Sequence, residues 1–259
     1  VPGRVTAPAP ADRPASRWRF LGVVAPALDA RAGWLGGRRR RSMSAAELDA
    51  CASMLRALPA VVSDWSDGNA ALDAEVVVAD APLRRLARVG PGWWADPGAA
   101  EALLAPHLGA PRDSILLLYP SDGSPAMRHA WGYTWGEVGL LGGAGFSAIV
   151  SDPWPGWATI EDPAHGFVHE WLHQVEAVYR RLGIGEDDLP GLHDVADRRT
   201  TRPDAPDRAE TYVEHERRTG SWRPWYRDYM TGTVGASSGE GPRVRGLTRG
   251  RWLRRPNPS

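Results

Sequence analysis

The sequence predicts a mixed α/β or α+β layer, and three observations point there. Helical and strand-like segments alternate along the chain, the strand-like runs are short and apolar, and Asp-Pro pairs mark helix starts between them. With 42% hydrophobic and 24% charged residues among 259, the chain can bury a good-sized core, which excludes wholesale disorder.

The elements follow in order. Residues Val1 to about Ser16 are rich in Pro, Ala and Arg and read as a disordered leader. The run Arg38-Arg39-Arg40-Arg41 follows two glycines and precedes a helix, so it reads as a solvated loop in preference to an anion-binding patch. Ser44 is a plausible N-cap. From Ala45 to about Trp65 the apolar residues Leu48, Cys51, Ala52, Leu55, Leu58 and Val62 fall at helical spacing. Glu75 to Ala79 is a short β-branched run bounded by Pro82, hence a strand. Asp96-Pro97 opens a second helix, with Asp as the cap and Pro at the first helical position, running to about Leu108. Ser114 to Tyr119 reads as a buried strand stopped by Pro120. Ala130 to Trp135 and Gly145 to Val150 are two more strands, and the glycines between them (139, 142 and 143) suggest a bulged or closely approached edge. Asp162-Pro163 repeats the cap signal, so a third helix should run to about Arg181 and end at Gly183. The tail from about Ala236 to Ser259 has almost no apolar periodicity and reads as disordered, which leaves residues 17–235 as a single domain.

Composition narrows the function classes. Lys+Arg and Asp+Glu both number 31, so the electrostatic footprint of a nucleic-acid binder is missing. Cys51 is the only cysteine, which excludes an intrachain disulfide and a cysteine zinc site; its neighbours Ala50 and Met54 suggest a packed helical position. No apolar stretch approaches the roughly 20 residues needed to span a bilayer.

The third helix carries His169-Glu170-Trp171-Leu172-His173. Four residues apart on a 3.6-residue helix, the two imidazoles share one face and can share a metal ion. Glu170 lies about 100° round from His169, beside the metal position and not on it. Zinc hydrolases need this arrangement: two neutral imidazoles hold the ion, an open position holds water, and a neighbouring carboxylate removes its proton. The apolar flanks Phe167, Val168, Trp171, Leu172 and Val175, and the strands before them, fit a helix packed on a sheet. Glu176 shares the face of His169 and suits an acceptor for an imidazole N–H, with a surface salt bridge as the competing role. His165 reads as a helix-start residue, and His107, His129 and His215 have no partner spacing.

On these residues the segment from about Glu75 to Tyr179 resembles the zincin metallopeptidases. The resemblance implies a twisted mixed sheet packed on the active-site helix, with substrate extended along an antiparallel edge strand. It would make the stretch Gly139 to Val150 that edge, with an ordinary hairpin as the alternative. The chain departs from the named subfamilies: where metzincins place a Gly and a third His after the motif, it has Glu176 and Tyr179. Three downstream groups compete as third ligand. His193 and Asp194 follow a Pro190-Gly191 bend that can turn the chain back over the metal, and Glu210 can open a second helix. His193 is expected, because imidazole is the commoner partner of two other histidines on zinc. In several zincins a tyrosine stabilises the oxyanion and a methionine lies under the metal. Tyr226 or Tyr229 and Met230 are candidates here, though aromatic core packing accounts for them better.

The expected function is therefore that of a zinc-dependent metallopeptidase, hydrolysing peptide bonds by a zinc-bound water with Glu170 as general base and His169, His173 and His193 as ligands. The alternatives are a non-peptidase, amidase-like zinc hydrolase, and a carbohydrate- or cell-wall-binding module with a structural histidine pair, to which the 13 tryptophans would contribute an exposed row. The expected partner is a protein or peptide substrate, with no nucleic acid and no transmembrane segment. A secreted monomer is expected.

Overall fold

The computed structural model describes residues 14–32, 37–90, 92–124, 127, 132–151, 165–185, 188–192, 223–235 and 245–256. The architecture is mixed, with two mixed sheets and helices packed on them. The first sheet is built from β1 (Ser16–Val24), β4 (Ala70–Val78), β7 (Ser114–Tyr119), β8 (Gly132–Glu137) and β9 (Gly145–Val150). Its spatial order is β4-β1-β7-β9-β8, all parallel except β8, which runs antiparallel to β9 at one end. The second sheet combines β2 (Ala27–Ala32), β3 (Arg38–Ser42), β5 (Leu83–Val89) and β6 (Gly92–Trp94) in the order β3-β2-β5-β6.

Period-2 alternation explains why the first sheet is covered on both faces. Along β1, Trp18, Phe20 and Val24 enter one core while Leu21 and Val23 enter another. On the first face lie α1 (Ala45–Trp65) and α3 (His165–Arg181), contributing Leu55, Leu58 and Val62, and Phe167, Trp171 and Val175. Gly22 lets α1 cross closely: a Cβ there would stand 3.0 Å from Cδ1 of Leu55. On the second face α2 (Pro97–Leu104) and the small sheet bury Leu28, Leu83, Trp94 and Leu104 against Leu117 and Phe146.

Local signals set the helix starts. The Ser44 hydroxyl accepts from the Glu47 N–H and the Glu47 carboxylate accepts from the Ser44 N–H, a complete capping box. The Asp96 carboxylate accepts from the Ala99 N–H. The second helix ends at Leu104, earlier than its sequence suggests; Pro106 has no N–H to continue it, and a 3₁₀ turn follows to His107. Gly183 ends α3 at a φ of +83°, as expected of a left-handed terminator.

Two expectations are corrected. Arg38 to Arg41 form strand β3, not a loop. Arg39 reaches Asp122 and Arg41 reaches Glu47 on one side, while Arg38 and Arg40 both reach Asp29 on the other. Charge on both faces hides a strand from any apolar pattern. The expected tail is also partly folded. Leu247 N–H donates to the Tyr229 carbonyl at 2.6 Å, and α5 (Arg249–Trp252) starts on a Thr248 cap. Trp252 is fully buried, stacked on Trp171 at 6.4 Å and edge-on to Tyr179 at 5.5 Å. Leu247 and Trp252 are too few to give periodicity, yet they anchor the segment. Residues 1–13, 33–36 and 236–244 lie outside the described residues.

None of the described tryptophans is exposed, so the surface row that a glycan-binding module would need does not occur among them. No helix among the described residues is long and apolar enough to cross a membrane. Cys51 is buried in α1, and that burial pushes its thiol up to about 11, away from thiolate chemistry.

Candidate metal centre

Helix α3 sorts its side chains into three sectors. Phe167, Val168, Trp171, Leu172, Val175 and Tyr179 are fully buried in the core. Glu170 and Gln174, one turn apart, face β7, β8 and β9. His169 and His173 are only partly buried, and their rings stand at 87° with centroids 4.7 Å apart. Their Nε2 atoms face each other at 3.1 Å. Two nitrogens about 2.0–2.1 Å from one tetrahedral ion lie about 3.3–3.4 Å apart, so the pair fits a shared zinc with only small adjustment.

The far nitrogens of the two rings face different partners. Nδ1 of His169 lies 2.8 Å from the hydroxyl of Tyr226, on helix α4 (Arg223–Thr231). Nδ1 of His173 lies 3.7 Å from Glu176 Oε2, an ion-pair distance longer than a hydrogen bond. Glu176 also pairs with Arg180 at 3.2 Å. Burial opposes ionisation of Glu176, but His173 and Arg180 outweigh it and hold this carboxyl below its ordinary range. Of the two roles considered for Glu176, the salt bridge is present with Arg180, while its contact with His173 is an ion-pair approach and not an N–H hydrogen bond.

Glu170 is 4% exposed and its carboxylate is inserted between α3 and β8. The Thr134 hydroxyl donates to Oε2 at 2.6 Å. A Cβ on Gly132 would stand 2.6 Å from the Glu170 carboxyl carbon, so only glycine leaves this slot open. Burial pushes the Glu170 carboxyl up, partly offset by the nearby His173 and the Thr134 hydrogen bond. Behind Thr134 runs a buried polar track. Thr134 and Ser147 share a 2.6 Å hydrogen bond, Gln174 Nε2 donates to Ser147 at 2.7 Å, and Ser114 donates to Gln174 Oε1 at 2.6 Å. The remaining Gln174 N–H capacity goes to the Ile115 carbonyl at 3.1 Å. Thr134, Ser147, Gln174 and Ser114 thus satisfy one another's hydrogen bonds beneath this part of α3.

Of the sequence-predicted site residues, His169, Glu170 and His173 come together. His193, Asp194 and Glu210 lie outside the described residues, as do His129 and His215. Among the described residues no third His, Cys, Asp or Glu joins the pair in a metal-sized group. Leu189 and Leu192, in the segment leading to His193, are buried in the same core as α3. Tyr226 does not stand free as an oxyanion donor; its hydroxyl is on the back of His169. Tyr229 and Met230 are fully buried, Tyr229 stacked on Trp225 at 5.0 Å, in accord with core packing. The antiparallel end strand is β8, Gly132–Glu137, and not the Gly139–Val150 stretch: β9 is interior, and Gly139–Leu141 forms a 3₁₀ turn beside Gly142 and Gly143 at positive φ. Sequence reasoning missed Gly132 and Thr134. The available signal was the alternation Gly132, Thr134, Gly136, which puts a small residue at every position of β8 facing α3.

In comparison with known proteins, no family model matches the chain and no curated protein matches it.

Proposed function

We propose that the protein is a zinc-dependent hydrolase of the zincin kind that cleaves peptide bonds. His169 and His173 are ligands, His193 completes the set ahead of Asp194 and Glu210, and Glu170 is the general base. The observation that carries this reading is the pair of imidazole nitrogens converging at 3.1 Å beside a buried, oriented carboxylate. Bound there, zinc supplies the Lewis acidity that makes water nucleophilic near neutrality.

The chain's own residues do the rest. Thr134 occupies Oε2 of Glu170, leaving Oε1 to take the proton of the attacking water. Burial raises the proton affinity of this carboxyl, which strengthens it as a base and lets it hold the proton until the leaving amine needs it. Strand β8 runs antiparallel at the end of the sheet and lies against Glu170 through Gly132, in keeping with a peptide added as a further strand there.

The test is metal analysis and peptide hydrolysis on the same preparation. One zinc per chain is expected, with cleavage of a random quenched-fluorescence peptide mixture abolished by chelator. Glu170→Gln should keep its zinc and lose about 10²–10⁴-fold in turnover, the usual cost of a missing general base. Wild-type turnover in that variant would remove Glu170 from its role. Chelator-sensitive hydrolysis of small acyl amides without peptide cleavage would favour the amidase-like alternative.

A further inference from the structure

Tyr226 is the feature of this site that the zinc motif does not account for. Its ring is fully buried, stacked on Trp65 at 5.9 Å with an interplanar angle of 6°, and edge-on to both Trp225 and His169. Packing on α1 and α4 therefore delivers the hydroxyl to a fixed point, 2.8 Å from His169 Nδ1. Nothing in the sequence spacing connects residue 226 to the histidine pair; tertiary packing does.

We propose that Tyr226 is a positioning residue for His169 and that its hydroxyl supports both tautomers of that ring. This rests on the zinc reading above. The four groups can take one directed arrangement. With Tyr226 O–H donating to His169 Nδ1, His169 Nε2–H would donate to His173 Nε2, and His173 Nδ1–H would face Glu176. A metal ligated by Nε2 requires the proton of His169 to sit on Nδ1, and the phenol oxygen then accepts it. A carboxylate in this place would accept only, and would favour the metal-ready tautomer alone. A phenol can donate or accept, so the ring keeps the same orientation before and after loading, and little ordering is left for the metal to impose.

Tyr226→Phe tests this, because it keeps the stacked ring and removes one oxygen. Zinc affinity is measured by competition with a chromophoric chelator, and the ring tautomer by ¹⁵N NMR of labelled histidine in metal-free protein. The expected result is a 10–100-fold loss of zinc affinity, the usual effect of removing a partner of a metal-bound imidazole. The metal-free His169 Nδ1 signal should also move, because that nitrogen loses the phenol as its hydrogen-bond partner. Zinc affinity within twofold of wild type would overturn the proposal, as would an unchanged His169 spectrum. A wild type that binds no zinc would instead remove the metal reading, and the spectrum alone would then decide whether Tyr226 sets the ring.

Discussion

Glu170, Gly132 and Thr134 show how narrowly a buried carboxylate has to be held. The slot over Gly132 has no room for a methyl group, since an added Cβ would fall 2.6–2.7 Å from three Glu170 side-chain atoms. Gly132→Ala should therefore displace the carboxylate, leaving zinc content intact while turnover falls by at least tenfold; normal turnover would show that the carboxylate works from elsewhere. Thr134→Val removes the hydroxyl that donates to Oε2 and shares a hydrogen bond with Ser147. Leaving these groups unsatisfied costs about 1–3 kcal/mol, readable as a lowered urea midpoint, and Thr134→Ser should recover most of it. Equal midpoints for Val and Ser at 134 would mean that the hydroxyl contributes packing only.

Two elements built from polar sequence are folded because of what they touch. Helix α5 holds Trp252 between Trp171 and Tyr179 of α3, and the Trp252 Nε1–H donates to the Met230 carbonyl at 2.9 Å, which ties α3 to α4. Trp252→Ala should cost about 3–5 kcal/mol, a large share of the roughly 5–15 kcal/mol that holds a domain folded. A midpoint shift below about 1 kcal/mol would show that the segment is merely laid on the surface. Strand β3 depends on charge. Asp29 takes hydrogen bonds from Arg38, Arg40 and Arg84, and Arg38 foremost, with Arg40, lowers its carboxyl to about 2. An unfolded aspartate titrates near about 3.9. The folded state thus binds this proton less readily, so its contribution is present above about pH 4 and disappears as the pH falls toward 2. Asp29→Asn should be less stable than wild type at pH 6, and the gap should close by pH 2. A gap independent of pH would assign it to shape and not to charge.

At the scale of the molecule, the site joins parts distant in sequence. The histidines come from α3, the partner of the Glu170 carboxylate from β8, and the hydroxyl behind His169 from α4, which packs on α1 through Trp65. A bound ion stabilises only the folded arrangement, by about 2.7 kcal/mol at a hundred times its dissociation constant. Zinc should raise the melting temperature, chelator should lower it, and His173→Ala should abolish the difference. An equal response to zinc in wild type and variant would mean the ion binds somewhere else.

The helix boundaries of α1 and the C-terminal end of α3, the strands β7 and β9, and the grouping of His169, Glu170 and His173 on one helix were legible in the sequence, because each rests on local spacing or on a cap within a few residues. The Ser44 capping box and the four-residue histidine interval are complete in themselves. Strand β3, the folded segment around Trp252, the Gly132 slot and the hydroxyl of Tyr226 were not legible. Their reasons lie across long sequence separations: 36 residues from Thr134 to Glu170 and 57 from His169 to Tyr226. Local sequence can specify which groups share a helix face; only packing of the sheet, α3 and α4 decides which nitrogen is held from behind and which way a carboxylate points. The sequence thus determined the chemistry available at this site, and the tertiary structure determined its orientation, because these hydrogen bonds join elements that only packing on the sheet brings together.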